Sequence, residues 1–154
     1  MAVKVSINIS REFSVDADYD SVFALLSDVE ASAQHFPKVE QLTDLGNDTF
    51  RWEMEKVGLG DHAIQTIYAS TYSSDEEAGT VNWTPVKGEG NGLVSGGWVI
   101  EEAEGGTNLT LETSAELNLP LPGLLKLAIS PVVKAEFSGM VDTYVSNLSE
   151  HFSA

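Results

Sequence analysis

Trp52, Tyr68 and Trp83 stand in the middle of this 154-residue chain, each an apolar ring with a single polar tip. Such side chains suit a ligand that is mostly ring or hydrocarbon and carries a few oxygens. Each sits in a segment that reads as a strand, on the face expected to turn inward. Met54 and Leu111 share that face. Ile129, Val133, Phe137 and Met140 fall on the apolar side of a helical C-terminal segment. These nine residues are the candidate ligand-binding set: Trp52, Met54, Tyr68, Trp83, Leu111, Ile129, Val133, Phe137 and Met140. The alternative is that they fill a core. Trp98, beside Gly96 and Gly97, can be read as pointing either way.

The residue types that usually carry catalysis make no constellation. His35 precedes Phe36 and Pro37, His62 opens a strand and His151 lies near the C-terminus, without metal-ligand spacing. His62 beside a cavity mouth is an acid–base candidate. Acidic pairs such as Glu53 with Glu55 and Glu101 with Glu102 fall on polar strand faces, and Asp75-Glu76-Glu77 reads as a turn, so no cleft with two converging carboxylates is expected. Gly88-Glu-Gly-Asn-Gly92 lacks the Lys-Ser/Thr of a phosphate loop and reads as a hairpin turn. No catalytic residue, metal or cofactor is assigned.

Charge narrows the partners. The chain has 24 Asp and Glu against 8 Lys and Arg, a formal net charge of −16. The cations Lys4, Arg11, Lys38, Arg51, Lys56, Lys87, Lys126 and Lys134 are dispersed, whereas a nucleic-acid binder concentrates them to displace counterions. Nucleic acid and anionic membrane surfaces are therefore not expected partners. The absence of cysteine excludes disulfides, thiol catalysis and thiolate metal sites. Val3, Val5 and Ile7 alternate with polar residues instead of forming a signal-peptide core, and no apolar run reaches the ~20 residues of a membrane span. Stable membrane insertion is not expected. Five Asn-x-Ser/Thr matches, from Asn8 to Asn147, are then chance occurrences, and a cytoplasmic location is expected.

The elements that position the candidates follow from periodicity. Val3, Val5, Ile7, Ile9, Phe13 and Val15 alternate with polar residues, the pattern of a strand with one buried face. Asp16-Ala-Asp18 can cap a helix carrying Tyr19, Val22, Phe23 and Leu26, and Asp28 can start a second that stops by Phe36, ahead of Pro37. Antiparallel strands are expected at Val39–Leu45, Thr49–Val57, about His62–Tyr72, Thr80–Val86, Leu93–Glu102 and Leu109–Leu117. Turns are expected at Gly46-Asn47-Asp48, Gly58-Leu59-Gly60, Asp75–Gly79, Gly88–Gly92 and Gly105-Gly106. After Pro120 the period becomes 3.6: Val133, Phe137, Met140, Val141, Tyr144 and Leu148 form one stripe. A helix from Leu121 to His151 would be about 45 Å long at ~1.5 Å per residue, kinked or divided at Pro131. The segment Leu119–Pro131 is apolar nearly all round. It reads as a helix start buried against the sheet, with a gate, a membrane-touching lip or a dimer patch as alternatives.

A strand, two short helices, a run of antiparallel strands and a long C-terminal helix resembles the helix-grip fold of the START-like superfamily. The chain is most similar to its polyketide cyclase/dehydrase and coenzyme-Q-binding (SRPBCC) group. The best local match is Phe13-Ser-Val-Asp-Ala-Asp-Tyr-Asp-Ser-Val-Phe-Ala-Leu-Leu-Ser-Asp-Val29, followed by His35-Phe-Pro-Lys-Val39. The resemblance spans essentially the whole chain, read as one domain over residues 1–154. It implies an α+β fold in which a curved antiparallel sheet of about seven strands wraps a long C-terminal helix, with two short helices after strand 1. It also implies a cavity between sheet and helix for an apolar or amphipathic small molecule: a lipid, quinone or polyketide-like compound. These motifs are mostly packing residues and specify fold better than function.

Three functions are thus in view. The first is a non-catalytic carrier or sensor of such a molecule. The second is a cyclase/dehydratase-type enzyme using the same cavity, with Tyr68 or a histidine moving a proton. The third is a ribosome or protein interaction module, against which the missing basic patch counts. A homodimer is compatible with all three.

Overall fold

A computed structural model describes residues 3–59 and 62–153, and the side chains of all of these except Leu59 and His62. The chain begins with β1 (Val3–Val15), whose odd-numbered residues turn inward. Two short helices follow, α1 (Tyr19–Ser27) and α2 (Val29–Ala33). Their starts are set by short acidic side chains: the Asp18 carboxylate accepts from the Ser21 amide and Asp28 from the Ala31 amide, each satisfying a donor the helix leaves free.

Seven strands make one antiparallel sheet in the order β1-β9-β8-β7-β6-β3-β2. They are β2 (Val39–Gly46), β3 (Thr49–Met54), β6 (Ile67–Asp75), β7 (Thr80–Val86), β8 (Gly92–Ala103) and β9 (Gly106–Leu119), with β1. Outside this sheet, β4 (Val57–Leu59) pairs with β5 (His62–Ile64) as a separate two-stranded ribbon. A 3-10 turn at Gly123–Leu125 leads into α3 (Lys126–Ser153), which packs over the inner face against β1.

Three expectations about this middle region are corrected. Thr49–Val57 is not one strand: β3 stops at Met54, because the Glu55 amide turns to the Lys38 carbonyl at 2.8 Å. Val57–Leu59, expected in part as a turn, is strand; Gly60 and Asp61 lie outside the described residues. The strand expected over His62–Tyr72 is interrupted at Gln65 and Thr66. Asn91 closes the gap, its side chain accepting from the Ile67 amide and donating to the Gln65 carbonyl, both at 2.9 Å.

The C-terminal helix also differs from expectation. It starts at Lys126 rather than Leu121, and it is not divided at Pro131. Pro131 removes one amide and crowds the carbonyl of Leu127, while packing of Ile129, Val141, Tyr144, Leu148 and Phe152 holds the helix on both sides of it. The apolar segment before it is split. Leu119, Leu121 and Ile129 are buried, while Leu124 and Leu127 stand 96% and 92% exposed, so the buried-start reading holds for only part of the segment.

The core is the layer between the sheet's inner face and the helices. Register places Trp52 opposite Tyr68, Tyr72 opposite Trp83, Val81 opposite Trp98 and Trp98 opposite Leu111, so all of these share the inner face. Trp98 is resolved by this: it points inward and is buried. Arg11 occupies the same inward phase of β1. It reaches α3, donating to Asp142 at 2.7 Å and to the Ser138 hydroxyl at 3.1 Å.

A two-chambered candidate ligand site

Two apolar voids lie between sheet and helix. The first, of about 70 Å³, is walled by rings: Phe36, Trp52, Tyr68, Tyr72, Trp83, Trp98, Phe137 and Tyr144, with Leu26, Val29 and Leu111 among the aliphatic lining. The second, of about 40 Å³, is walled by Met54, Val57, Ile64, Leu117, Val132, Val133 and Met140, again with Phe137. Lys38, Glu55 and Glu136 also border it, and the Lys38 ammonium is paired with the Glu136 carboxylate. We call these the aromatic and the aliphatic chamber.

The aromatic walls are built from strand pairing. Trp52 and Tyr68 stack, with ring centres 5.8 Å apart and planes 10° from parallel, as cross-strand neighbours on one face do. Phe36, from the end of the helical corner, meets Trp52 edge-on at 5.9 Å and Tyr144 of α3 at 5.0 Å. Trp83 lies opposite Gly96 on β8, where no side chain competes for the space. A Cβ at Gly96 would come within 2.2 Å of the Glu112 carbonyl oxygen, so only glycine fits there.

Polar atoms in the aromatic chamber are few and differ in their partners. The Trp52 indole donates to the Tyr72 hydroxyl at 2.9 Å. The Tyr144 hydroxyl is hydrogen-bonded to Ser32 of α2, tying that helix to α3. The Tyr68 hydroxyl has no hydrogen-bond partner among the described residues, although the residue is buried and borders the chamber. Burial pushes all three phenols up from their ordinary value: Tyr68 well above it, Tyr72 above it despite its bond to Trp52, and Tyr144 to about 12. At neutral pH each keeps its proton and can donate it in a hydrogen bond.

A polar surface groove of about 380 Å³ adjoins the aromatic chamber. It is lined by Ser27, Asp28, Asp48, Phe50, Ser73 and Ser74, and shares Val29, Tyr72 and Val81 with the chamber.

Of the nine residues expected to line a cavity, Trp52, Tyr68, Trp83, Leu111 and Phe137 border the aromatic chamber. Met54, Val133, Met140 and, again, Phe137 border the aliphatic one. Ile129 is buried but borders neither. The reading from sequence left Trp98 open and did not name Tyr72, Ser32 or Phe36 as lining residues. Alternation alone would have found Trp98, which continues the inward phase of Val94 and Ile100.

Neither His35 nor His151 lines either chamber. His35 and His151 face each other at 4.8 Å on the rim between α2 and α3, and the side chain of His62 lies outside the described residues. Among the described residues, no group of three or more His, Asp or Glu side chains could hold a metal ion. Nor is any helix long and apolar enough to cross a membrane.

A long helix gripped by an antiparallel sheet over an apolar void defines a START-like (SRPBCC) helix-grip protein. Sequence comparison agrees: the family model described as "Polyketide cyclase / dehydrase and lipid transport" matches residues 6–152, and the chain belongs to that family. A comparison with curated proteins finds no match. Among solved structures, a START superfamily protein from Mycobacterium smegmatis superposes with a TM-score of 0.65 at 18% identity, covering 94% of this chain and 96% of its own. The Zhui aromatase/cyclase from a Streptomyces species gives 0.60 at 16% identity, covering 94% and 90%. A protein from Thermus thermophilus gives 0.61 at 18% identity, covering 95% and 99%. At these identities the likeness concerns the fold.

Proposed function

We propose that this chain, acting as one domain, binds and carries an apolar or amphipathic small molecule between its sheet and α3. The observation that carries this reading is the aromatic chamber. Its walls are rings and aliphatic groups, its titratable lining is tyrosine alone, and one buried phenol, Tyr68, offers an O–H that no described protein group takes up. Such a site desolvates a ring and supplies one directional contact. The nine residues expected from sequence, less Ile129, are its proposed contacts. The family's description, which includes lipid transport, supports the same reading.

Native mass spectrometry of freshly purified protein tests this. The expected result is an adduct that organic solvent extracts and that Tyr68→Phe weakens. Protein that comes through with no adduct, and takes up none from a mixture of hydrophobic compounds, would overturn the reading.

The cyclase/dehydratase reading is favoured by the same family description, which names polyketide cyclase/dehydrase, and by the likeness to the Zhui aromatase/cyclase and to the di-domain ARO/CYC StfQ. In it Tyr68 would be the proton donor. It requires turnover of a poly-β-ketone substrate that Tyr68→Phe abolishes while binding of the unreacted substrate persists.

A further inference from the structure

A wall of the aromatic chamber has to move for a ligand to enter. Its void of about 70 Å³ is less than half the ~150 Å³ of an apolar cavity that holds one benzene ring. The sheet side is made of paired strands, β3, β6, β7, β8 and β9, which part only by breaking ladder hydrogen bonds. α3 is anchored along its length by Ile129, Val141, Tyr144, Leu148 and Phe152. What remains is the helical corner, where α2 and the turn after it contribute Val29, Ser32 and Phe36. A helix of five residues does not hold its place alone.

Among the described residues no backbone hydrogen bond joins this corner to α3. Its fastenings are the Ser32 hydroxyl on Tyr144, the Asn147 side-chain amide donating to the His35 carbonyl at 2.9 Å, and the Phe36 ring on Tyr144. The fourth is the His35 ring against that of His151, 4.8 Å between centres. Of these, only the histidine contact changes charge near neutral pH. His35 is half-buried and His151 exposed, so solvent protons reach the pair. The charges around it are already placed. Lys38 is paired with Glu136, and the Asp28 carboxylate caps α2. Among the described residues neither these nor Asp20 of α1, Glu30 of α2, Glu40 of β2 or Glu150 of α3 makes an ion pair with either imidazole. Protonated, the two rings would face each other with no carboxylate to neutralise them.

Resting on the binding reading above, we propose that His35 and His151 form an acid-operated latch on the aromatic chamber. While both imidazoles are neutral, the corner lies closed on α3 and a bound ligand is retained. When both are protonated, like charge drives the corner off α3, the wall from Val29 to Phe36 opens and the ligand leaves. The direction follows from linkage. Burial, and then the charge of His151, make His35 a weaker base in the closed form, so opening takes up protons and acid favours it. Affinity is therefore steady above pH ~6.5 and falls below it.

The test is isothermal titration calorimetry of 4-pentylphenol, which stays neutral over this range, at pH ~8 and pH ~5 and constant salt. The wild-type chain should bind more than about threefold more weakly at the lower pH, with circular dichroism showing that the fold persists there. The pH dependence should shrink in His35→Gln and in His151→Gln, and vanish in the double variant. A second readout needs no variant: in buffers of different ionisation heat at pH ~6, wild-type binding should release protons. Equal wild-type affinities at the two pH values, no proton release, or a fall that the double variant keeps would overturn the latch while the carrier reading stands. A fall that merely tracks loss of the dichroism would overturn it too, since unfolding then accounts for it. Failure of 4-pentylphenol to bind the wild-type chain even at pH ~8 would count against the carrier reading and the latch together.

Discussion

Trp52 donates its indole N–H to the Tyr72 hydroxyl at 2.9 Å, across β3 and β6. Tyr68, stacked on the same indole, has a hydroxyl without such a partner among the described residues. Two phenols on one strand therefore have different work. Tyr72→Phe leaves a buried indole N–H unpaired and should cost about 1 kcal/mol, read from the urea midpoint. Tyr68→Phe removes a hydroxyl with no described partner in the protein, so stability should be unchanged or slightly higher while ligand affinity falls. A larger stability loss for Tyr68→Phe than for Tyr72→Phe would reverse the assignment.

All four tyrosines in the chain have pKa values raised above 10, Tyr144 to about 12, and burial is the leading cause for each. A group that holds its proton more tightly when folded stabilises fully below its unfolded pKa. That stability is lost as pH rises from the unfolded toward the folded value. Stability should accordingly fall above pH ~10, and phenolate absorbance should appear together with loss of far-ultraviolet dichroism. Ser32→Ala removes a bond that lowers the Tyr144 value, and should move the Tyr144 titration further up. Phenolate signal from a still-folded chain near pH 10 would contradict this picture.

At the acid end the group to follow is His35, at the junction of α2 with α3. Burial, and secondarily the charge of His151, hold its pKa below 6.5. Here the unfolded chain takes up the proton first. Stability is therefore whole above pH ~6.5 and declines as pH falls from there toward the folded value. Urea midpoints measured across this range should show the slope, and His35→Gln should flatten it. Imidazole resonances should place His35 below its ordinary value of 6.5, and a value above it would refute the assignment.

How far the sequence anticipated this molecule depends on the range of the interactions involved. Alternation in Val3–Val15 and Leu109–Leu117, and the caps Asp18 and Asp28, are local signals, and each marked its element to within a few residues. Trp98 was legible in principle, because Val94, Gly96, Trp98 and Ile100 keep one phase, but the adjacent glycines obscured it. Arg11 likewise keeps the inward phase of Ile9 and Phe13, and the partners that accept its charge there, Asp142 and Ser138, lie on α3. Other features have no local signal. The partner that ties Tyr144 to α2 is 112 residues away in sequence. Phe137 lies on the predicted stripe, yet nothing in its spacing marks it as bordering two voids.

The interruption between β5 and β6 belongs to that second kind. Asn91, 24 residues beyond Ile67, takes up one amide and one carbonyl at the gap. Asn91→Ala would orphan both, costing about 1–2 kcal/mol. Asn91→Asp would keep the acceptor for Ile67 but lose the donor to Gln65, and should fall between wild type and Asn91→Ala. Hydrogen exchange at the Ile67 amide gives the local check, with exchange fastest in Asn91→Ala. Unaltered protection in that variant would show that the gap is held by something other than Asn91.

Charge, which from composition alone speaks mainly of solubility, also bears on ligand choice through where it stands. Asp28 and Asp48 line the polar groove beside the aromatic chamber, and the chamber has no cation among its described lining. Lys38, the cation at the aliphatic rim, is already paired with Glu136. A carboxylate held in the aromatic chamber would lie beside a groove bearing two like charges and would lose its hydration without a counter-charge to replace it. At neutral pH, 4-pentylbenzoate should therefore bind more than tenfold more weakly than 4-pentylphenol. The gap should close as pH falls toward the benzoate's own pKa, where the neutral acid becomes available. Measuring both compounds at each pH separates ligand protonation from any acid effect on the protein, because 4-pentylphenol stays neutral throughout and reports the protein effect alone. Equal affinity for the two compounds at neutral pH would show that a cationic group reaches the bound ligand, contrary to the lining described here.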